Sequence, residues 1–362
     1  MGAGLIATPV KESDVEYHYT YTGWDQSLQD VTADRTITAV FAAADRYYRV
    51  TYWSDAAEGK VLLEETVIAH DSCEYKGDDP KGEGVWIGWD AQADDVVSDM
   101  DIHALFVTPV MPEVLPEKYD FLYSDDEADD SAYTLAEFVG ILQSGQARTW
   151  FQVGDRIKMV TPTDVFADST IELMVLGFNH YRLAEEGTFA GVVFGMAGVM
   201  NAKHAMNSGR TNTGGWPASE MRAFLNDTIF PALPQHWRVL METVTVLSSA
   251  GDTSAEIVSA QDKLFLRAYV EMSNTTSVPY CNEVDQEAEE ATFAVYTDSA
   301  SRVLRLYNGL GDATACWLRS PGAEISFWLV HPGGNVHANS TGYPAIGAHG
   351  VSWLCCMGVT AV

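Results

Sequence analysis

Two adjacent cysteines near the end of the chain, Cys355 and Cys356, are the residues best suited to covalent chemistry. A thiolate can act as a nucleophile or bind a metal. However, neighbouring residues of a strand point to opposite faces, so these two thiols would not share one pocket. The odd cysteine count and the lack of a CxxC pair argue against a disulfide framework and a zinc site. We expect most of the five to be small buried apolar side chains: Cys73, Cys281, Cys316, Cys355 and Cys356.

Three histidines in the same region, His331, His337 and His349, raise the question of a metal site. Their spacings of six and twelve residues match no standard pattern, so we predict no metal and no cofactor. The sequence contains no GxSxG, HExxH or P-loop motif. Acidic residues are abundant, and a carboxylate pair for glycoside hydrolysis therefore stays open, although nothing singles out such a pair.

The net charge of the 362-residue chain is -30, from 51 acidic and 21 basic residues. This charge opposes nucleic-acid binding, which needs clustered lysine and arginine. There is no run of eighteen apolar residues, so no membrane insertion is predicted. The first residues lack the basic and apolar regions of a signal peptide. The length allows two or three domains.

An internal repeat organises the first third of the chain. Gly23-Trp24-Asp25 recurs as Gly88-Trp89-Asp90, and several flanking apolar residues align at the same offset of 65. We predict two small β modules, a partial repeat in residues 1–45 and a second repeat in residues 46–110.

Period-two alternation predicts strands in residues 36–41 and 48–52, and a further strand in residues 60–67. The modules resemble the B-type repeats of bacterial surface proteins such as internalins, which are β-grasp-like stalk modules. The resemblance covers one full copy, residues 48–106. The missing half of the first copy would lie before Met1, so the natural protein is expected to have more sequence upstream.

Residues 109–133 combine three prolines with an acidic run, Asp125-Asp126-Glu127-Ala128-Asp129-Asp130, and residues 111–133 are predicted to be a solvated linker. The acidic run is not a calcium loop of the EF-hand type, because the required glycine position holds Asp130 and the closing glutamate position holds Ala136. The remaining residues, 134–362, would form one domain.

Within that domain Thr134 is expected to cap a helix that Gly145 ends, with apolar residues at the i, i+3, i+4 and i+7 positions. Strands are predicted at residues 153–157 and 171–177. Further helices are predicted at residues 219–225 and 235–244. This mixture predicts an α+β domain rather than a doubly wound nucleotide-binding sheet.

Short motifs follow one another through this domain and support a family resemblance. They are Val153-Gly154-Asp155, Gly177-Phe178-Asn179-His180, Gly187-Thr188-Phe189-Ala190-Gly191, Thr211-Asn212-Thr213-Gly214-Gly215-Trp216, Ser219-Glu220-Met221-Arg222, Asp262-Lys263-Leu264-Phe265-Leu266 and Trp317-Leu318-Arg319-Ser320-Pro321. The segment from about Leu135 onward resembles a bacterial and phage family with a C-type-lectin-like fold. This family includes the variable proteins of diversity-generating retroelements and shares its fold with formylglycine-generating enzymes.

The resemblance implies that a reverse transcriptase miscopies adenines in the segment encoding residues 317–356. An AAC codon altered in this way cannot encode Lys, Glu, Gln, Met or Trp, and residues 337–349 contain none of these five. Trp353 cannot be encoded by an altered AAC codon, so the downstream limit of the variable segment stays open.

Buried aromatic residues such as Trp317, Phe327 and Trp328 would hold the backbone while exposed side chains vary at little cost in stability. Aromatic anchors with small polar neighbours are typical of binding surfaces. The predicted ligand-binding residues are Leu329, His331, Pro332, His337, Ala338, Asn339, Thr341, Tyr343, Ala345, Ile346, His349, Ser352 and Trp353.

The resemblance therefore implies a ligand-binding protein that is not an enzyme and that recognises a cell-surface protein or glycan. It would act as a phage receptor-binding protein or a bacterial surface adhesin, on the virion or the cell surface. Two alternatives remain: a fixed-specificity adhesin of the same fold, and an enzyme of the formylglycine-generating type. The enzyme would lose activity on Cys355→Ser or Cys356→Ser.

Overall fold

A computed structural model describes residues 7–29, 32–162, 166, 169–273, 283–306, 311–336 and 343–359. The chain divides into two compact units, Met1–Phe106 and Val107–Val362. The α+β prediction is confirmed: strands dominate, and the helices are few and short. No helix in the described ranges is both long and apolar enough to cross a membrane.

Among its described residues, the first unit contains six strands in two sheets. The strands are β1 Tyr17–Trp24, β2 Ala39–Asp45, β3 Tyr47–Trp53, β4 Val61–Ile68, β5 Val85–Trp89 and β6 Met100–Val107. Strands β1 and β2 form an antiparallel ribbon. The other four form a sheet in the order β4-β3-β6-β5, in which β3 lies parallel to β6. The strands predicted at residues 48–52 and 60–67 are confirmed as β3 and β4.

The internal repeat predicted from the sequence recurs in the backbone. The Asp25 N–H donates to the Thr38 carbonyl over 3.0 Å, and the Asp90 N–H donates to the His103 carbonyl over 3.0 Å. In return, the N–H groups of Thr38 and His103 donate to the carboxylates of Asp25 and Asp90 over 2.8 and 2.7 Å. The β1–β2 ribbon is therefore the structural equivalent of the β5–β6 pair.

The linker predicted at residues 111–133 is wrong, because part of this segment belongs to the second unit. Tyr123–Ser124 forms strand β7, which pairs parallel to the next strand of the sheet. Leu122 is fully buried. The Asp125 carboxylate accepts hydrogen bonds from the His236 ring at 2.9 Å and from the Trp237 indole at 2.6 Å. The burial of Leu122 and the hydrogen bonds of Asp125 thus hold this segment in the fold, although its acidic composition predicted a solvated loop.

The second unit contains thirteen strands among the described residues, β7 included. The others are β8 Arg156–Val160, β9 Thr170–Phe178, β10 Arg182–Leu183, β11 Ala190–Met196, β12 Met241–Glu242, β13 Val244–Ser249, β14 Ile257–Asp262, β15 Phe265–Leu266, β16 Cys316–Pro321, β17 Ser326–Val330, β18 Tyr343–Pro344 and β19 Trp353–Val359. The largest sheet runs β12-β19-β11-β9-β8-β7, with β15 also paired to β19. Smaller sheets are β10-β13-β14 and β16-β17-β18. The last strand, β19, thus lies in the interior of the main sheet.

The helices follow the predicted capping signals, and their ends differ from the predictions. Helix α1, Leu135–Gln143, starts at a capping box formed by Thr134 and Glu137. The strand predicted at residues 153–157 begins later, at Arg156, because Gly154 has a φ of 98° and lies in a turn. The remaining helices are α2 Ala147–Trp150, α3 Glu220–Ala223, α4 Phe230–Ala232, α5 Gln235–Leu240 and α6 Tyr269–Ser273, with a 3₁₀ turn at Trp216–Ala218 and a π-helical segment at Phe224–Ile229.

The helix predicted at residues 235–244 ends early, at Leu240. Met241 and Glu242 leave the helix to pair with β19, opposite Met357 and Cys356. The helix predicted at residues 219–225 is capped by Ser219, whose hydroxyl accepts from the Arg222 N–H. Helical structure then continues beyond the predicted end, through the π-helical segment.

Candidate ligand-binding face

The hairpin of β16 and β17 is the rigid base of the face predicted from the sequence. Every residue of both strands is buried. Trp317 and Phe327 are 1% and 0% exposed, and Trp328 is 3% exposed, which confirms the prediction that these aromatic residues belong to the core. The short strand β18 extends the sheet, with Tyr343 opposite Phe327.

Five of the predicted ligand-binding residues lie at the surface beside this hairpin. Ile346 is 44% exposed. Pro332 is exposed, and His331, Tyr343 and His349 are half-buried. We call these five residues the apical patch.

Four other predicted residues do not reach the surface. Leu329, Ala345, Ser352 and Trp353 are at most 1% exposed, so their placement on a ligand-facing surface is corrected. Leu329 lies within β17 and Trp353 begins β19, where the packed sheets cover both faces. The predicted residues His337, Ala338, Asn339 and Thr341 lie outside the described residues.

Ring contacts connect three members of the apical patch. His331 Nε2 is hydrogen-bonded to the Tyr343 hydroxyl at 2.6 Å. The Tyr343 and His349 rings meet edge to face, with centroids 5.8 Å apart. The His349 ring in turn meets the buried Trp317 ring edge to face, with centroids 4.7 Å apart. The exposed rings are therefore anchored to the core, so their positions are largely fixed before a ligand binds.

Two residues that the sequence did not single out continue this surface. His204 stacks on Phe224 with centroids 4.1 Å apart, and both are half-buried. The backbones of His204 and His349 exchange hydrogen bonds of 2.9 and 3.1 Å. No sequence signal could have paired positions so far apart in the chain.

The imidazole of His349 is neutral near pH 7. Burial lowers its pKa, and the positive charge of Lys203 and the proximity of His331 lower it further. A neutral ring can accept or donate a hydrogen bond without the cost of removing water from a charge. Ring stacking, apolar contact and single hydrogen bonds are thus the interactions that this surface offers.

A buried ion pair holds β16 in place below the apical patch. Arg319 and Glu271 are both fully buried, and two hydrogen bonds of 2.8 and 3.0 Å join them. His180 and Tyr181 also bond to the Glu271 carboxylate. The remaining N–H groups of Arg319 donate to backbone carbonyls of three other segments, at Leu247, Leu266 and Glu283.

Burial alone would raise the pKa of Glu271, but Arg319 and His180 outweigh it and hold the pKa well below its usual range. Glu283 is buried in the same cluster, and there burial dominates and raises the pKa to about 7. Its carboxylate accepts from the Ser320 hydroxyl and from the Ser249 N–H. The cluster thus contains one guanidinium and two carboxyl groups, and the pKa values of the two carboxyl groups are shifted in opposite directions.

Strongly perturbed carboxylates are a common mark of catalytic sites, so the space around this cluster matters. A cavity of about 30 Å³ lies against His180, Arg182, Glu283 and Asp285. That volume accommodates one or two water molecules. Among the described residues, no group of three or more His, Cys, Asp or Glu side chains could hold a metal ion. The hydrogen bonds of Arg319 join β16 to four other positions of the second unit, at Leu247, Leu266, Glu271 and Glu283.

A second buried arginine explains why Ser352 points inward. The Arg267 guanidinium donates to the Ser352 hydroxyl and carbonyl over 2.8 and 3.0 Å. It also bonds to the Met196 carbonyl and the Tyr296 hydroxyl. The Ser352 hydroxyl donates to the Gly198 carbonyl over 2.7 Å. Ser352 is thus a structural residue at the start of β19.

The cysteines do not form a reactive site in the described part of the chain. Cys73, Cys316, Cys355 and Cys356 are buried and free. Burial raises the pKa of Cys73 to about 11 and that of Cys316 to about 12, and it raises those of Cys355 and Cys356 further. The two adjacent thiols are therefore protonated at neutral pH and have no access to a substrate.

We predict that these four thiols resist modification in the folded protein. In a Cys281→Ser variant, a thiol-specific chromogenic reagent should react with none of the four at pH 8 within minutes, and with all four after denaturation. The reason is that the reagent needs an accessible thiolate. Fast reaction of even one thiol in the folded variant would contradict this burial.

Comparison with known proteins adds one match. Residues 191–347 match the model of a family described as a domain of unknown function, DUF6273. The matched segment is less than half of the chain and includes Glu271, Arg319 and Ile346. No curated protein and no solved structure matches the chain.

Proposed function

We propose that this protein is a binding protein whose second unit has a C-type-lectin-like fold and presents the apical patch to a ligand. The observation that carries the proposal is the exposed Ile346 beside half-buried aromatic rings, on a base of fully buried strands. Exposed apolar and aromatic side chains grouped on a rigid base are typical of interaction sites.

The chemistry of the apical patch favours a protein or glycan ligand. Tyrosine and histidine rings stack on apolar faces and also form hydrogen bonds, as both classes of ligand require. The net charge of -30 disfavours nucleic acid. We propose that the ligand is a cell-surface molecule and that the protein acts on a phage virion or a bacterial surface.

We further propose that a retroelement diversifies the segment encoding residues 317–356. The buried base supports this, because side chains at the apical patch can change while Trp317, Phe327 and Arg319 hold the backbone. Diversification would then alter the exposed side chains of the segment. Four buried residues would stay unchanged because they pack in the core: Leu329, Ala345, Ser352 and Trp353.

The DNA that flanks the gene tests diversification directly. We expect a near-copy of the segment encoding residues 317–356, differing almost only at adenines, beside a reverse-transcriptase gene. The differing codons should fall on exposed residues such as Ile346 and on few buried ones. Complete flanking sequence with neither feature would leave a fixed-specificity adhesin or an enzyme on the same scaffold.

Ligand binding itself is tested with two matched isoleucines. Ile346 and Ile257 are 44% and 41% exposed, but only Ile346 belongs to the apical patch. We predict that Ile346→Glu weakens attachment of the labelled protein by about ten-fold or more, because a charge replaces an apolar contact. Ile257→Glu should leave attachment unchanged.

Attachment would be measured on a panel of intact bacterial cells and on a printed glycan array. Both variants must keep the unfolding midpoint of the unaltered protein, so that a loss of binding is not a loss of fold. Equal attachment by the Ile346→Glu and Ile257→Glu variants would exclude the apical patch as the binding surface.

A further inference from the structure

Five aromatic side chains of the second unit lie one after another on its surface. His204 stacks on Phe224, with ring centroids 4.1 Å apart and an angle of 11° between the ring planes. In the apical patch, the His349 ring meets the Tyr343 ring at 5.8 Å, and the Tyr343 ring meets the His331 ring at 5.9 Å. All five side chains are half-buried, so each keeps an exposed part. We call these five rings the ring row.

A pair of backbone hydrogen bonds joins the two parts of the ring row. His204 and His349 are antiparallel partners, and the N–H group of each donates to the carbonyl of the other over 2.9 and 3.1 Å. In such a pair the Cα atoms are about 5.5 Å apart, and the two side chains leave the backbone on the same side. The two histidine rings therefore lie on one surface, and the row runs from Phe224 to His331.

The His204 end of the row is fixed to the core by further backbone contacts. The indole of the buried Trp317 donates to the His204 carbonyl over 2.9 Å. The N–H groups of Met206 and Asn207 both donate to the Ala345 carbonyl, over 2.9 and 3.2 Å. This end is thus positioned before a ligand arrives, which reduces the entropy that binding costs.

The two ends of the row differ in how the proposed diversification would affect them. His331, Tyr343 and His349 lie within the segment of residues 317–356, and His204 and Phe224 lie outside it. A retroelement that alters this segment would change one end of the row and leave the other end constant.

The polar atoms of the row need hydrogen-bond partners of both kinds. His204 Nδ1 lies 2.7 Å from the Ala205 carbonyl, which can only accept, so the ring proton is on Nδ1 and Nε2 of the neutral ring is an acceptor. The neutral His349 ring has one donor and one acceptor nitrogen, and the Tyr343 hydroxyl can act as either. A hydroxyl group also donates and accepts, so a ligand rich in hydroxyl groups can satisfy every position.

The charges beside the row favour a ligand without charge. Glu220 acts electrostatically on His204, and Lys203 acts on His349, so the two neighbouring charges are of opposite sign. The net charge of -30 opposes the approach of an anionic ligand.

We propose that the ring row is the contact surface for an extended neutral glycan and that His204 and Phe224 form its constant end. This inference rests on the proposed binding function and adds the class of ligand and two contact residues. The C–H faces of successive sugar units would lie against the rings. Their hydroxyl groups would bond to the imidazole nitrogens and to the Tyr343 hydroxyl.

The probe is a printed array of neutral linear oligosaccharides of increasing length, to which the labelled full chain is applied. We expect saturable binding whose affinity rises with the number of sugar units until the row is covered. Intact bacterial cells are tested in parallel, because they also present protein ligands.

Two phenylalanines of one helical stretch provide matched variants. Phe224 and Phe230 are both half-buried, but only Phe224 belongs to the ring row. We expect Phe224→Ala to weaken glycan binding at least about ten-fold and Phe230→Ala to leave it unchanged. Each variant must keep the unfolding midpoint of the unaltered protein, and Phe224→Leu and Phe230→Leu replace the alanine pair if it does not.

His204→Leu tests the other residue of the constant end. Leucine keeps an apolar side chain and removes both the ring and the acceptor nitrogen, so we expect glycan binding to weaken at least about ten-fold. Together with the Phe224 variant, this result would identify the constant end as part of the binding surface.

Four results would overturn the proposal. Attachment to cells without binding to any glycan would exclude the glycan and leave the proposed binding function in place. Glycan binding that Ile346→Glu weakens, but His204→Leu and Phe224→Ala do not, would exclude the constant end. Equal weakening by Phe224→Ala and Phe230→Ala would also exclude it. No attachment of the unaltered protein to cells or glycans would overturn this proposal and the binding function together.

Discussion

Replacement of Glu271 by glutamine is expected to destabilise the second unit by about 3 to 5 kcal/mol. The substitution keeps the shape of the side chain and removes the charge that neutralises Arg319. Both groups are fully buried, so the guanidinium would be left as an unpaired charge out of reach of water. Since a small domain is stable by only about 5 to 15 kcal/mol, this change should be readily measurable.

The ion pair of Arg156 and Glu172 provides the control. These groups are 2.8 Å apart, and the arginine side chain is 46% exposed. Glu172→Gln should therefore cost less than about 1 kcal/mol, because water solvates the guanidinium when its partner is lost. Urea denaturation measures the free energy of unfolding of both variants. Hydrogen exchange in β16 shows that the measured transition is the unfolding of the second unit.

Equal effects of Glu271→Gln and Glu172→Gln would show that burial of the Arg319 pair is unimportant. A larger loss for Glu271→Gln would show that the burial of the Arg319 pair determines how much it contributes to stability.

The sequence predicted the parts of this fold that short segments determine. Alternating apolar residues gave the strands β3 and β4, and the Thr134 capping box gave the start of α1. The repeated Gly-Trp-Asp motif predicted the equivalence of two strand pairs, which the hydrogen bonds of Asp25 and Asp90 bear out. Each of these signals is local, and the hydrogen bonds of Asp25 and Asp90 each reach a residue 13 positions along the chain.

The parts that could not be predicted depend on distant residues. Arg319 is visible in its sequence motif, but its partner Glu271 lies 48 residues earlier and His180 lies farther still. Ser352 reads as a surface residue because it is polar, yet Arg267 bonds it inside the core. His204 completes the surface beside His349 through backbone hydrogen bonds that no pattern of residue types specifies.

The same limits explain why buried residues were predicted together with those of the apical patch. The segment from Tyr343 to His349 has no regular period, so no residue pattern separates Ala345, which is buried, from Ile346, which is exposed. Composition identified the segment as a surface, and packing then decided which of its residues face outward.

The stability of the second unit is expected to fall as pH rises from about 5 to about 8, through the ionisation of Glu283. Burial raises the pKa of this carboxyl from 4.5 to about 7 in the folded protein. The folded state therefore holds a proton that the unfolded chain releases near pH 4.5. The stabilisation by this proton is fully present below pH 4.5 and is lost as pH rises through about 7.

The size of the effect follows from the two pKa values. At 1.36 kcal/mol per pH unit, the interval between 4.5 and about 7 corresponds to about 3 kcal/mol, of which roughly 2 to 3 kcal/mol falls between pH 5 and pH 8. Many other groups titrate in this chain, so the unaltered protein is compared with Glu283→Gln. The variant should lack this part of the pH dependence.

Urea unfolding at pH 5 and pH 8 measures the difference, again with hydrogen exchange in β16 to identify the unit. Equal pH dependence in the two proteins would mean that Glu283 does not hold a proton in the folded state.

The pH dependence that Glu271 contributes has the opposite sign. Its pKa is lowered beside Arg319, so the stability that it contributes is lost only as pH falls below about 4.5. Burial keeps the proton on the second carboxyl, Glu283, until about pH 7. The cluster is thus most stable in the mildly acidic range, where Glu271 is ionised and Glu283 is not.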